Sequence, residues 1–136
     1  MNYTVNNIMN ENMACIIQAR MGSKRLPKKI LKLLDDKNTV LDFLLNQISS
    51  SKLLNKIIIA TTTLEEDNVI EDYAKKMKIN CFRGSHEDVL DRYYQCAKKF
   101  SLSTIIRITS DCPLTDPLII DQIIEIRSEE RRVGKE

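Results

Sequence analysis

IIQARMGSKRLPKK, running from Ile16 to Lys29, joins a short apolar run to a loop that carries Arg20, Gly22, Ser23, Lys24, Arg25, Pro27, Lys28 and Lys29. The apolar run is what a buried strand needs, and a strand that ends in a turn leaves backbone N–H groups free to point at a ligand. Gly22 and Ser23 let the backbone come close to such a ligand, and five positive charges fall between Arg20 and Lys29. Pro27 stiffens the exit. Charge runs are usually solvated faces, but this one leaves the carboxyl end of the first strong strand of the chain. Ligands of open α/β sheets collect there. The pattern therefore predicts a site for polyanionic oxygen that is neither a P-loop nor a dinucleotide fingerprint, since GxxxxGK[ST] and GxGxxG are both absent.

Working outward, the alternation of strand and helix continues. Residues 14–18 read as a buried strand, and Val40, Leu41, Leu44, Leu45 and Ile48 stand at helical spacing behind Asn38 or Thr39 as cap. Residues 56–61 give a second strand. Residues 65–78 give a helix whose acidic start and basic end suit its dipole. A third strand over residues 80–83, a helix over 87–100, a fourth strand over 104–108 and a last helix starting at Asp116 or Pro117 complete the series. This order predicts an α/β fold, a doubly wound and mainly parallel sheet built from right-handed βαβ units.

The 136 residues fit one domain, which buries roughly two thirds of the surface its unfolded form exposes. An apolar fraction of 43% with 29% charged residues is ordinary for a globular protein, and no apolar run approaches the roughly 20 residues of a membrane span. Residues 1–13 lack the features of a secretory signal and read as a flexible extension, so a cytoplasmic location without membrane contact is expected. The net charge of +2 is too small to predict nucleic-acid binding from the whole-chain field. Cys15, Cys81, Cys96 and Cys112 have no CxxC spacing, and His86 is the single histidine, so neither zinc nor a disulfide framework is indicated. The cysteines read as inert, Tyr93 and Tyr94 as packing residues, and His86 as helping to start the helix at Glu87.

Asp111, in ITSDCPL, comes just after the fourth strand and so on the edge of the sheet where the basic loop emerges. A carboxylate beside phosphates points to Mg²⁺, which is commonly held by one or two carboxylates together with phosphate oxygens and water.

Three collinear segments, ARMGSKRLPKK, FRGSHEDVLDRYYQ and RITSDCPLTDPLIID, resemble the cytidylyltransferases that activate sialic acids and 3-deoxy-manno-octulosonate. The branch of spore coat polysaccharide biosynthesis is the nearest in pattern. The resemblance spans residues 14–124 and implies a nucleotide-diphospho-sugar transferase type of fold. It implies that Arg20, Gly22, Ser23, Lys24 and Lys29 bind CTP, with Arg20 and Lys29 acting in catalysis on the triphosphate. Arg83 would lie near the nucleotide, Asp91 and Arg92 would line the same region, Thr109 would contact the base, and Asp111 would bind the metal. The implied reaction joins CTP and a sugar acid into a CMP-sugar and pyrophosphate. Lys28 and Ser110 depart from the family pattern, standing where glycine is common.

The resemblance also implies that residues 14–126 are the N-terminal part of a longer, homodimeric enzyme. The second metal ligand and the sugar pocket would then lie further on, and this stretch alone would be inactive. Residues 127–136, RSEERRVGKE, read as a non-native tail of the kind a translated sequencing adapter leaves. Two rival readings stand beside this one: a transferase for another base or acceptor, and a non-catalytic anion- or RNA-binding module.

Overall fold

The computed structural model describes residues 12–22, 29–110 and 115–133. Within them, four strands form one parallel sheet: β1 (Met13–Gln18), β2 (Ile57–Thr62), β3 (Asn80–Gly84) and β4 (Thr104–Thr109), in the spatial order β3-β2-β1-β4. Helices α1 (Val40–Ser49), α2 (Asn68–Met77), α3 (Val89–Lys99) and α4 (Pro117–Val133) alternate with them. The expected doubly wound α/β sheet is what the chain forms.

The two central strands β1 and β2 are buried on both faces, as their apolar runs require, whereas the edge strands β3 and β4 are only partly covered. On one face Cys15, Ile17 and Ile59 meet Leu41, Leu44 and Ile48 of α1, Ile70 and Ala74 of α2, and Ile120 and Ile124 of α4. On the other, Ala14, Ile16, Ile58 and Ala60 meet Tyr93 and Cys96 of α3. Each fully buried isoleucine contributes roughly 1.5–3 kcal/mol relative to exposure, so the two layers together hold the strands in register.

The helices start and stop as local chemistry dictates. Thr39 caps α1: its side chain accepts from the Asp42 N–H at 3.1 Å, while the Thr39 N–H donates to Asp42 Oδ2 at 2.8 Å. A short 3-10 turn, Glu65–Asp67, leads into α2. Helix α3 begins at Val89 with Asp88 as its cap, accepting from the Asp91 N–H at 3.0 Å. This corrects the expectation that His86 starts the helix: the acceptor is the aspartate two residues later, and His86 is exposed. Tyr93 packs as expected, whereas Tyr94 is 60% exposed and does not. Helix α4 passes without a break through the change of composition at Arg127, since Glu and Arg are good helix formers. It is fastened to the end of α1 by Asp121, which accepts from the Ser51 hydroxyl at 2.5 Å and from the Lys52 and Leu53 N–H groups, both at 3.1 Å. Its residues Leu118, Ile119, Ile123 and Ile126 remain exposed.

One topological fact positions the site. From β1 the chain moves through α1 to β2 and through α2 to β3, in one direction across the sheet. It then crosses by α3, on the opposite face, to place β4 on the far side of β1. The carboxyl ends of β1 and β4, whose following helices α1 and α4 pack on the same face, therefore lie side by side at the point where the strand order reverses, where ligands of open α/β sheets collect.

Candidate functional site

Two backbone bonds carry the chain out of β1. The Ala19 N–H donates to Ala60 O at 3.0 Å, extending the pairing with β2 by one step, and the Met21 N–H donates to Asp67 Oδ1 at 2.7 Å. Asp67 is wholly buried, and its other oxygen accepts from the Thr62 hydroxyl. The carboxylate thus ties the exits of β1 and β2 together. Gly22 passes so close to Glu66 that a Cβ there would lie 2.8 Å from Glu66 Oε1.

Arg20, between these two anchors, is exposed and makes no hydrogen bond or ion pair among the described residues. On the neighbouring strand Thr109 pairs in register with Gln18, and the Ser110 N–H donates to Gln18 O at 3.2 Å. Thr109 thus lies beside Gln18, two residues before Arg20, where the carboxyl ends of β1 and β4 adjoin. Lys29 opens the 3-10 turn Lys29–Leu31. Ser23, Lys24 and Asp111 lie outside the described residues, as does Cys112.

Arg83 is engaged with the protein itself. Its Nε donates to Thr62 O at 2.8 Å, Nη1 to Asn68 Oδ1 at 2.6 Å and Nη2 to Leu64 O at 2.6 Å, with Glu71 3.8 Å from Nη1. Each guanidinium nitrogen has an acceptor, so the side chain clamps the turn after β2.

Arg92, from α3, comes up beneath the same edge and is 1% exposed. Its Nε donates to Ser85 O at 2.9 Å and its Nη2 to His86 O at 3.3 Å, which locks the turn after β3. Its Nη1 is buried without a partner. Gly84 makes room for it: a Cβ there would sit 2.7 Å from the Phe82 ring and 3.0 Å from Arg92 Cγ. Burial pushes the Arg92 guanidinium below the usual arginine range, the Arg20 charge adds to this, and Asp67 opposes it. Arg20, Asp67 and Arg92 therefore share one electrostatic neighbourhood.

Sequence reasoning missed Thr62 and Asp67. Asp67 read as one of three acids suited to a helix start, and only its burial shows that it holds the loop instead. The cysteines match their reading: burial pushes the Cys15 thiol up to about 12 and the Cys96 thiol to about 11, which leaves both as inert thiols at neutral pH.

Comparison with known proteins agrees with this architecture. The cytidylyltransferase family matches residues 14–133. An uncharacterized protein of Methanocaldococcus jannaschii is 48% identical over 110 residues, 81% of this chain and 45% of that protein. The spore coat polysaccharide biosynthesis protein SpsF of Bacillus subtilis is 41% identical over 114 residues, 81% of this chain and 47% of its own length. The structure of a cytidylyltransferase from Leptospira borgpetersenii superposes with a TM-score of 0.80 at 38% identity, covering 86% of this chain and 49% of that one. The chain spans about half the length of the relatives it matches. A parallel sheet with its strand order reversing between β1 and β4, a chain exit from β1 anchored through Met21 to Asp67 and a family match over residues 14–133 lead to one conclusion: the chain belongs to the cytidylyltransferase family.

Proposed function

We propose that this chain forms the nucleotide-binding part of a cytoplasmic, homodimeric enzyme that transfers CMP from CTP to a sugar acid. The product would be a CMP-sugar for surface polysaccharide. The observation that carries this reading is Arg20 at the switch point, exposed and unengaged among the described residues, next to a backbone pinned through Met21 to Asp67. A fixed backbone with a free cation is suited to phosphate oxygen, because little reorganisation is needed when the anion arrives. The name of the SpsF relative supports the polysaccharide context.

In this reading Arg20, Lys24 and Lys29 neutralise the β and γ phosphates, Gly22 and Ser23 bring backbone N–H groups up to them, and Thr109 faces the base. A sugar-acid hydroxyl attacks the α-phosphorus and pyrophosphate leaves, with no covalent bond to the protein. Arg83 contributes indirectly, by fixing the turn from Thr62 to Leu64 that leads to Asp67, the anchor of Met21.

The metal in this reading is Mg²⁺, which needs no cage of protein ligands. A carboxylate just after β4, Asp111, would share it with phosphate oxygens and water. When bound, the metal would stabilise charge on the transferring phosphoryl group.

The test is made in the full-length protein. CTP should bind in preference to UTP, ATP and GTP by calorimetry, and pyrophosphate should be released from CTP with at least one of a panel of sugar acids. Asp111→Asn should abolish turnover and leave metal-free CTP binding nearly intact. Equal binding of all four nucleotides, or normal turnover by Asp111→Asn at low magnesium, would defeat the reading. Salt-sensitive polynucleotide binding indifferent to Asp111 would replace it with a binding module.

A further inference from the structure

A buried charge is costly unless it is paired and hydrogen-bonded, and each buried polar atom without a partner calls for an explanation. Arg92 is such a case. Its guanidinium is 1% exposed, two of its nitrogens rest on the carbonyls of Ser85 and His86, and Nη1 has no partner. Two neutral carbonyls do not balance a full positive charge. Gly84, whose Cβ would lie 3.0 Å from Arg92 Cγ, pairs in register with Thr62, and through the Thr62 hydroxyl this leads to the buried carboxylate of Asp67, whose oxygens are both taken by neutral donors, the Met21 N–H and the Thr62 hydroxyl. Asp67 is equally unbalanced by its contacts alone. The two charges answer each other through the protein interior, where Coulomb interactions are strong, without a direct ion pair.

Arg20 lies one residue from the Met21 N–H that Asp67 accepts. Were Asp67 the only charge there, the flexible Arg20 side chain would fold back onto it and lose its use as an anion receptor. The observed Arg20 is exposed and makes no ion pair among the described residues.

We propose that Arg92 is a positioning residue that neutralises Asp67 from beneath and so keeps Arg20 free for the phosphates of the ligand. Asp67 can then fasten the loop backbone without capturing the loop's own cation. Arg92 does not touch the ligand; it acts through Asp67 and Arg20. The inference rests on the nucleotide reading above and adds to it the device by which the receptor cation stays available.

The probes are inorganic tripolyphosphate, which carries the anion alone, and cytidine, which carries none, each titrated into the full-length protein. Arg92→Gln should weaken tripolyphosphate binding about tenfold, what the loss of one charge-assisted hydrogen bond costs, and leave cytidine binding as it was. Arg92→Lys, which keeps the charge, should retain tripolyphosphate affinity. The deciding variant is Arg92→Gln with Asp67→Asn. The asparagine can still accept from the Met21 N–H but has no charge to trap Arg20, so affinity should return to within about threefold of the unaltered protein. If Arg92→Gln alone does not fold, the double variant and Arg92→Lys still decide. A double variant as weak as Arg92→Gln, or about tenfold weaker than the unaltered protein, overturns the proposal, as does equal loss of cytidine binding. Tripolyphosphate binding that follows this pattern without any preference for CTP would sink the cytidylyltransfer reading and leave this one standing. CTP preference with Arg92→Gln indistinguishable from the unaltered protein would do the reverse.

Discussion

The backbone N–H of Met21 donates to the buried Oδ1 of Asp67 at 2.7 Å, joining the exits of β1 and β2 across 46 positions of sequence. The bond sits at the base of the loop that carries Arg20 and Gly22, and a carboxylate acceptor makes it stronger than a bond between neutral groups. Asp67→Ala would leave the Met21 N–H and the Thr62 hydroxyl without their acceptor. It should lower stability by about 2–4 kcal/mol in denaturant unfolding, with Asp67→Asn costing less. A loss under about 0.5 kcal/mol would mean that the loop is held by other contacts.

Arg20→Ala and Lys29→Ala in the full-length protein should weaken CTP binding more than CMP binding, because both side chains are assigned to phosphates that CMP lacks. Each change should cost on the order of 1.5–3 kcal/mol, the range for a charged hydrogen bond. Calorimetry with the two nucleotides checks this, and equal losses for both would remove the assignment to the β and γ phosphates.

Acid should act through Asp42. Burial alone would raise its carboxyl, but the Tyr73 hydroxyl, the Thr39 N–H and the charge of Lys76 outweigh this and hold it below the ordinary 3.8. A group whose folded pKa is depressed adds stability above its unfolded pKa and loses it as pH falls through the folded one. The melting temperature of the protein should therefore exceed that of Asp42→Ala by most near neutral pH. The gap should shrink below about pH 4. A gap that stayed constant down to about pH 2 would show that Asp42 contributes by packing rather than by charge.

Gly84 and Gly22 should respond differently to alanine. At Gly84 the new Cβ would press on the Phe82 ring at 2.7 Å and on Arg92 Cγ at 3.0 Å, neither free to swing away, for an overpacking cost of about 1–3 kcal/mol. At Gly22 the close atom is the end of the exposed Glu66 side chain, 2.8 Å away, which can rotate aside, so stability should change by less than about 0.5 kcal/mol. Thermal melts of the two variants side by side provide the comparison, and a larger loss at Gly22 would contradict the geometry.

Much of the fold was legible in local pattern. The runs around Ile16, Ile58 and Ile106 read as strands because buried parallel strands need continuous apolar sequence, and Val40 to Ile48 read as a helix because its apolar residues recur every three or four positions. The basic loop declared itself by charge and glycine content in one short segment, and helix α3 was placed to within two residues even though its cap was assigned two positions early. Each of these signals is contained in a stretch of about ten residues, where neighbours along the chain are also neighbours in space.

What only the tertiary structure decided is which side chains meet across the sheet. Arg83 read as a nucleotide contact, yet Thr62, Leu64 and Asn68, brought alongside β3 by the pairing with β2, occupy its guanidinium. Asp67 read as one acid of a helix start and became the buried anchor of Met21, and Arg92 became a buried cation held by the carbonyls of Ser85 and His86. Hydrogen bonds and buried charges depend on partners 15 to 46 positions apart, and those partners are selected by strand order and crossover direction, which no local periodicity encodes. The sequence alone thus determined the elements and the concentration of positive charge after β1. The packing of the sheet decided which cations remain free, because a charge is available to a ligand only where the fold has not already supplied its counterpart.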